Sequence, residues 1–356
     1  MEGRVKRQVT FLAPGTQGDV EPLRLVAQAI AETGRVSVLF ACDALYHHDE
    51  EEEGSSREAA IVYMPLTSAG ENPEANRGKG ATTMKGDGAE ALWKVQLSEY
   101  EQLVETSDLV VYNWFASWCR HVCQKYGVKS LGIWPVPFTA TSEFPSFLFC
   151  SPKMKKVSSK LSHAQSHLFW ESVFWKSSKT PLLKWRKENG LRTPLGVNTV
   201  AWEQRGHFSL PGSIMYCFSP QVVPRPLDWP GSVELCGYIR QQQSPKSLPH
   251  ALDDLGLGED ETCRIHIGFG SATKSIPRPE KLLKTLILGI QKAMKKTAFK
   301  VLLCRKLAVE AGNWVPNEFI TIVDYIPYES LLSRVDIHIH HGGEQALLLN
   351  NEMTQY

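Results

Sequence analysis

The constraint that narrows the fold most is the order of signals at the start of the chain. Gln8 to Ala13 is a short β-rich run, and Pro14 to Asp19 is a turn-rich loop holding Gly15 and Gly18. From Pro22, apolar residues recur at Leu23, Val26, Ala27 and Ile30, which is helical spacing, and Gly34 is placed to stop that helix. Val36 to Ala41 reads as the next strand. Strand, glycine loop, helix and strand in that order make a βαβ unit, the building block of a parallel sheet.

The alternation continues. Asp108 to Tyr112 reads as a strand, Ala116 to Tyr126 as a helix and Ser130 to Trp134 as a strand. The acidic run Asp49 to Glu53 and the stretch Ala69 to Gly88, rich in Gly, Lys, Asn and Thr, read as loops. Pro152 to Lys187 differs in texture. Lys153, Lys155, Lys156 and Lys160 precede Leu168, Phe169, Trp170, Val173, Phe174 and Trp175 in a helical segment. Its aromatics suit either core packing or a face turned to a membrane surface or a lipid acceptor. Ser219 to Gly237 carries Pro220, Pro224, Pro226 and Pro230, a density that suits an extended connector.

A second α/β unit follows. Arg264 to Phe269 is a strand, Glu280 to Lys296 a helix, and Lys300 to Leu303, Phe319 to Val323 and Asp336 to His340 are strands, with a short helix near Glu329 to Arg334. The expectation is an α/β chain with a Rossmann-like domain over 1–218, a Pro-rich linker over 219–237 and a second, incomplete Rossmann-like domain over 238–356.

Composition closes off other classes. The formal net charge is +1, so the molecule as a whole has no basic field for nucleic acid. Val9 to Ala13 is too short for a signal-peptide core and no stretch is apolar for long enough to span a bilayer, so a cytoplasmic protein is expected, with peripheral membrane contact as the variant. None of the 8 cysteines sits in a C-x-x-C pair, which points to reduced thiols rather than to structural zinc.

Three glycine turns follow strands, at the edge where open α/β sheets bind ligands. In Gly15-Thr16-Gln17-Gly18-Asp19 the aspartate falls just before the helix, either as an N-cap or as a group facing a ligand. The loop lacks the Gly-Lys-Ser/Thr ending of a P-loop. Gly268-Phe269-Gly270-Ser271 is either a plain strand-to-helix turn or a seat for a diphosphate on exposed backbone N–H groups. His340-His341-Gly342-Gly343 could offer an imidazole and backbone donors to a phosphate. Neighbouring histidines on a strand point to opposite faces, which argues against a shared metal.

Taken in order, these pieces resemble one family. Gly15 to Pro22 resembles the G-[ST]-R-G-D-V-Q-P signature of sterol glucosyltransferases and their antibiotic-glycosylating relatives. Pro137 to Pro145 is similar to their P-W-T-x-T-x-x-[FY]-P segment, and Ser219 to Trp229 to their S-P-x-[LV]-x-P-[KR]-P-x-D-W linker. Ile267 to Ser271 matches I-G-F-G-S, Val323 to Leu331 resembles V-D-x-V-P-H-D-W-L, and His340 to Gly343 matches the start of H-H-G-G-[AS]-G-T.

The resemblance implies the GT-B plan of two Rossmann-like domains facing a cleft. It also implies metal-independent, inverting transfer of glucose from UDP-glucose to a sterol 3-hydroxyl, with no cofactor beyond the donor. By the same resemblance Asp19 is the general base, and Thr16 and Gln17 line the donor, with Gln17 standing where the family has arginine. Gly270 and Ser271 lie at the phosphates. The backbone of Ile326 meets the uracil, and Tyr328 stands where the family has histidine. His341 contacts the diphosphate, flanked by His340, Gly342 and Gly343. Partners are then UDP-glucose and a sterol or another hydrophobic alcohol.

After Gly343 the pattern breaks. Glu344 replaces the family's small residue, and the Asp-Gln pair that holds the sugar has no counterpart before Tyr356. The resemblance therefore implies a C-terminally truncated form, from an alternative transcript or a shortened gene model. Such a form has weakened or absent transfer, a destabilised second domain and a last strand at a sheet edge. A noncatalytic sterol- or membrane-binding remnant is the alternative.

Overall fold

The computed structural model describes residues 6–15, 17–43, 61–66, 87–149, 160–192, 213–239, 262–270, 273, 276–295, 298–314, 316–317, 319–323, 331 and 334–342. The chain divides into two units, Met1–Arg240 and Gln241–Tyr356. Both consist of parallel strands alternating with helices.

In the first unit the described elements are β1 (Arg7–Ala13), α1 (Gln17–Glu32), β2 (Val36–Asp43), β3 (Ile61–Leu66), α2 (Asp87–Glu105), β4 (Leu109–Tyr112), α3 (Cys119–Tyr126), β5 (Lys129–Trp134), α4 (His163–Glu188), β6 (Ser213–Tyr216) and β7 (Val233–Leu235). The strands form one sheet in the order β3-β2-β1-β4-β5-β6-β7, every pair parallel. Strands buried on both faces read as continuous apolar runs, and β1 keeps Val9 through Ala13 buried. One face packs Phe11, Phe40 and Val111 against Leu23 and Ala27 of α1. The other packs Leu12, Tyr112 and Trp134 against Tyr100 and Val104 of α2, Val122 of α3 and Leu182 and Trp185 of α4.

Helix α1 begins at Gln17, not at Pro22. Pro22 lies inside it and forgoes the bond to the carbonyl one turn earlier. Asp19 therefore sits in the first helical turn rather than ahead of the helix as an N-cap. Free backbone N–H groups and the helix dipole favour a carboxylate there.

The Pro-rich stretch expected as a connector packs onto the first unit. Val233–Leu235 forms an edge strand beside Ser213–Tyr216, and Trp229 is buried 4.8 Å from the Tyr216 ring. Prolines cannot donate, so the local carbonyls need another source of N–H groups. Arg225 supplies it: Nε donates to Val233 O, Nη1 to Pro226 O, and Nη2 to Trp229 O and Pro230 O.

The same stretch clamps the segment 137–149. The Asp228 carboxylate accepts from Thr141 Oγ1 (2.6 Å), Ser142 N (2.7 Å) and Ser142 Oγ (2.9 Å). Glu143 accepts from Leu227 N at 2.6 Å. The Tyr216 hydroxyl accepts from Phe138 N and Thr139 N and meets Thr139 Oγ1. From α4, Ser166 Oγ accepts from Ser146 N, and His167 Nε2 donates to Phe144 O. Burial opposes the charge on Asp228, but its hydrogen bonds to Thr141, Ser142 and its own backbone win and hold its carboxyl below the ordinary value.

In the second unit, β8 (Cys263–Ile267), α5 (Pro279–Ala293), β9 (Phe299–Cys304), α6 (Arg305–Glu310), β10 (Ile320–Val323) and β11 (Ile337–Ile339) are described. The sheet order is β10-β9-β8-β11, again parallel. Ile265, Ile267 and Leu303 pack on Leu283 and Ile287 of α5 and Leu307 of α6. Leu302, Val323 and Leu331 form a smaller cluster. Among the described residues β11 is an edge strand, as expected for the last strand.

Asp228→Ala should destabilise the first unit by about 1 kcal/mol, because charged hydrogen bonds at a solvent-accessible site are discounted by screening. Its folded-state value is lowered, so this contribution is complete above the ordinary carboxylate range and is lost as pH falls through the lowered value. Urea unfolding of both chains at pH 7 and pH 3 reads both, and the gap between them should shrink at pH 3.

Candidate functional site

Strand order places the candidate sites. In the first unit the chain leaves β1 toward β2 on one side and returns to β4 on the other, so the switch point lies between β1 and β4. The crevice outside the carboxyl ends of such strands is where open α/β sheets bind ligands. Pro14, Gly15 and Asp19 follow β1 there, and Asn113, Trp114 and Phe115 follow β4.

Gly15 carries the geometry of this turn. Its φ is +123°, and a Cβ on it would fall 2.9 Å from Asp19 Oδ2 and 3.1 Å from the Phe115 ring. The absent side chain is what lets the carboxylate and the aromatic edge close over the backbone. Gly15 N donates to Asp43 Oδ2 at 3.2 Å, from the end of β2. Burial raises the Asp43 carboxyl above its ordinary value, and the Gly15 hydrogen bond offsets part of this. Asn113, 1% exposed, donates from Nδ2 to Pro14 O and Asp19 O.

Beyond the carboxylate runs an aromatic wall. Trp114 stacks on Phe138 with centroids 4.2 Å apart and planes within 11°. Phe174 meets the Trp114 ring edge-on at 4.8 Å and tilts against Trp170. Trp170 and Phe169 both contact Phe149. Phe138 and Phe149 are presented by the clamped segment 137–149, and Phe169, Trp170 and Phe174 by α4. Most of the aromatic face of α4 is thus packed, while Phe115 (48%) and Phe169 (39%) keep substantial exposure. Lys153, Lys155, Lys156 and the Trp175 side chain lie outside the described residues.

The second unit repeats the logic. The switch point lies between β8 and β11, where Gly268, Phe269 and Gly270 follow one strand and His340, His341 and Gly342 the other. The two turns touch: Gly268 N donates to Ile339 O at 3.1 Å, and a Cβ on Gly270 (φ +49°) would sit 3.4 Å from His341 Cε1. Gly342 N donates to His340 Nδ1 at 3.1 Å, which assigns the ring proton of neutral His340 to Nε2.

His341 lies against Gly270, while the His340 ring tilts against His338 with centroids 4.8 Å apart. His338 in turn faces His266, its register partner on β8, at 4.9 Å. Burial, and then the neighbouring His338, lower His266 to about 3. Burial, then His340 and His341, lower His338 to about 4. Burial and His340 also lower His341. No group of three or more His, Cys, Asp or Glu able to hold a metal occurs among the described residues.

The structure therefore brings Asp19 to one switch point and Gly270, His340, His341 and Gly342 together at the other. Thr16, Ser271, Ile326, Tyr328 and Gly343 lie outside the described residues, as does the Gln17 side chain. Asn113 and Asp43 were not singled out from the sequence. Each directly ends or follows a parallel strand that was legible, and that position was the available signal.

No protein-family model matches the chain. Among curated proteins, it is 26% identical over 246 residues to the sterol 3-beta-glucosyltransferase of Aspergillus fumigatus, covering 67% of this chain and 17% of the relative. It is 25% identical over 314 residues to the UDP-sugar-dependent glycosyltransferase 52 of Dictyostelium discoideum, covering 81% and 17%. It is 22% identical over 359 residues to the sterol 3-beta-glucosyltransferase UGT80A2 of Arabidopsis thaliana, covering 94% and 51%. The chain thus spans about half, or less, of the length of these relatives.

Solved glycosyltransferases share the architecture. The calicheamicin glycosyltransferase CalG4 superposes with a TM-score of 0.57 at 15% identity, over 97% of this chain and 77% of that one. UGT2 of Phytolacca americana, solved with UDP-2fluoro-glucose and pterostilbene, gives 0.55 at 14%, over 98% and 78%. The fold is GT-B, and the similarity to sterol 3-beta-glucosyltransferases read from the motifs stands.

Two outcomes follow from this geometry. Gly15→Ala should destabilise the first unit by about 1–3 kcal/mol in thermal melts, since a Cβ at positive φ meets both Asp19 and Phe115. The second unit should weaken as pH falls from about 6.5 toward 4, because unfolded chain binds protons that folded His266 and His338 refuse. Hydrogen exchange over 263–304 at graded pH reads this, and His266→Leu should flatten the slope.

Proposed function

We propose that the chain carries the machinery of an inverting, UDP-glucose-dependent glucosyltransferase acting on the hydroxyl of a sterol or similar lipid alcohol. The observation that carries this reading is the pairing, at the first unit's switch point, of one helix-start carboxylate with an aromatic wall. Asp19 and Phe115 both lie against Gly15, and Trp114, Phe138 and Phe174 extend the apolar surface. A flat hydrophobic alcohol gains from aromatic faces, and its hydroxyl needs one base.

On this reading Asp19 takes the acceptor's hydroxyl proton as that oxygen attacks the anomeric carbon. The bond to UDP breaks on the opposite face, which inverts the centre. The leaving diphosphate is received by the N–H groups of the turn at 268–270 and by His341. Thr16, Gln17, Ser271, Ile326, Tyr328 and Gly343 are assigned to the donor by the family resemblance of their motifs alone. No step calls for a metal. The turn at 340–342 supports the diphosphate role, since Gly270 leaves room for the His341 ring.

A second reading keeps binding without transfer, and the exposure of Phe115 and Phe169 favours it. It is a sterol- or membrane-surface-binding protein. Among the described residues no helix is long and apolar enough to cross a membrane, so such contact would be peripheral.

Transfer of labelled glucose from UDP-glucose to sitosterol decides between them. Asp19→Asn should lower kcat by about two to four orders of magnitude while sterol affinity stays within about twofold. Sterol binding with no product from the unaltered chain would establish the second reading instead.

A further inference from the structure

We infer that Asn113 is the positioning residue for the Asp19 carboxylate, an inference that rests on Asp19 being the base. Asn113 stands on the other side of the switch point, directly after β4, and is 1% exposed. Its side chain has two N–H donors and one carbonyl acceptor, and it uses both kinds of group around the Asp19 turn. Nδ2 donates to Pro14 O at 2.6 Å and to Asp19 O at 3.4 Å, 99 and 94 residues away in sequence. Oδ1 accepts from Ala116 N at 3.3 Å. The Asn113 backbone N–H donates to Leu12 O at 3.1 Å.

One buried amide thus joins three segments: the end of β1, the first turn of α1, and the turn that presents Trp114 and Phe115. Capping that turn would need only the contact to Ala116. The two bonds from Nδ2 serve the Asp19 turn. Asp43 grips the same turn from the other flank, through Gly15 N. Between these two holds Asp19 Oδ2 lies against Gly15, so its place follows from the backbone that Asn113 fixes. An aspartate at 113 would face two carbonyl oxygens without an N–H to give. A serine could still cap Ala116 but would not reach Pro14 or Asp19.

The test compares Asn113→Ser and Asn113→Asp with the unaltered chain. Asp19 is titrated by carbon NMR in protein labelled at the aspartate carboxyls, its signal assigned through Asp19→Asn. Initial rates are measured with UDP-glucose and sitosterol, and hydrogen exchange is followed over 15–20 and 129–134.

Asn113→Ser should speed exchange over 15–20 by about tenfold with 129–134 unchanged. It should also lower kcat by roughly 10–100-fold with the UDP-glucose KM within about twofold. Asn113→Asp should raise the Asp19 midpoint by about half a pH unit or more through the added like charge. Uniform acceleration of exchange in Asn113→Ser overturns the inference, because it marks a merely structural residue. So does an Asp19 midpoint in Asn113→Asp within about 0.2 pH unit of the unaltered chain. If the unaltered chain transfers no glucose while local exchange and titration respond as expected, the proposed reaction fails and the positioning role stands.

Discussion

The parallel pairing of β1 on both of its edges is the constraint on which the first unit rests. Register joins Phe11 to Phe40 on one side and to Val111 on the other. A slip of one residue along either neighbour would turn Phe11 and Leu12 to opposite faces and empty both cores at once. The same register fixes where β1, β2 and β4 end. Pro14, Asp43 and Asn113 leave the sheet at nearly one level, and that is why two flanking side chains can reach the single turn holding Asp19. The geometry of this turn is thus a by-product of strand length and register, reinforced by hydrogen bonds that a different register would not allow.

The Pro-rich stretch 219–235 shows how one composition can serve two structural ends. A proline series reads as a stiff spacer because it lacks donors and resists helix. Here the missing donors are replaced by one guanidinium, and the segment becomes a brace. Asp228 and Glu143 cross-link that brace to the segment 137–149, so the Phe138 and Phe149 rings stand on a held backbone. A pre-ordered aromatic wall loses less entropy when it receives a rigid, flat ligand than a floppy loop would. Two of the motifs that marked the family resemblance are therefore one structural device, visible as such only when Thr141, Ser142 and Asp228 meet in space.

Legibility in the sequence followed length and periodicity. The runs that became β1, β2, β4, β5, β8 and β9 carry enough buried Val, Ile, Leu and Phe to be read directly. Ser213–Tyr216 and Val233–Leu235 lack the unbroken Val and Leu run of β4, and β3 contains Pro65, which its edge position tolerates. Helix α2 was hidden by the Gly- and Lys-rich stretch that runs into its first residues, although Leu97, Tyr100, Leu103 and Val104 lie at helical spacing. Of the site, the glycine turns were legible because close backbone approach demands glycine. Asn113 was not, because an asparagine after a strand carries no signal until its partners, nearly a hundred residues earlier, are known.

The two units solve the same problem with different chemistry, and the difference is informative. Both place a glycine turn at a switch point and close it with a side chain from the neighbouring strand. In the first unit the closing group is a neutral amide, which steadies a carboxylate without adding charge. In the second the neighbouring strand brings imidazoles, and burial with neighbouring histidines lowers His266 to about 3 and His338 to about 4. Burial and then His340 lower His341 as well, which favours its neutral ring. On the proposed reading the carboxylate is the proton acceptor and the second unit's turn supplies the donors, the division of labour that attack by an alcohol and departure of a diphosphate require.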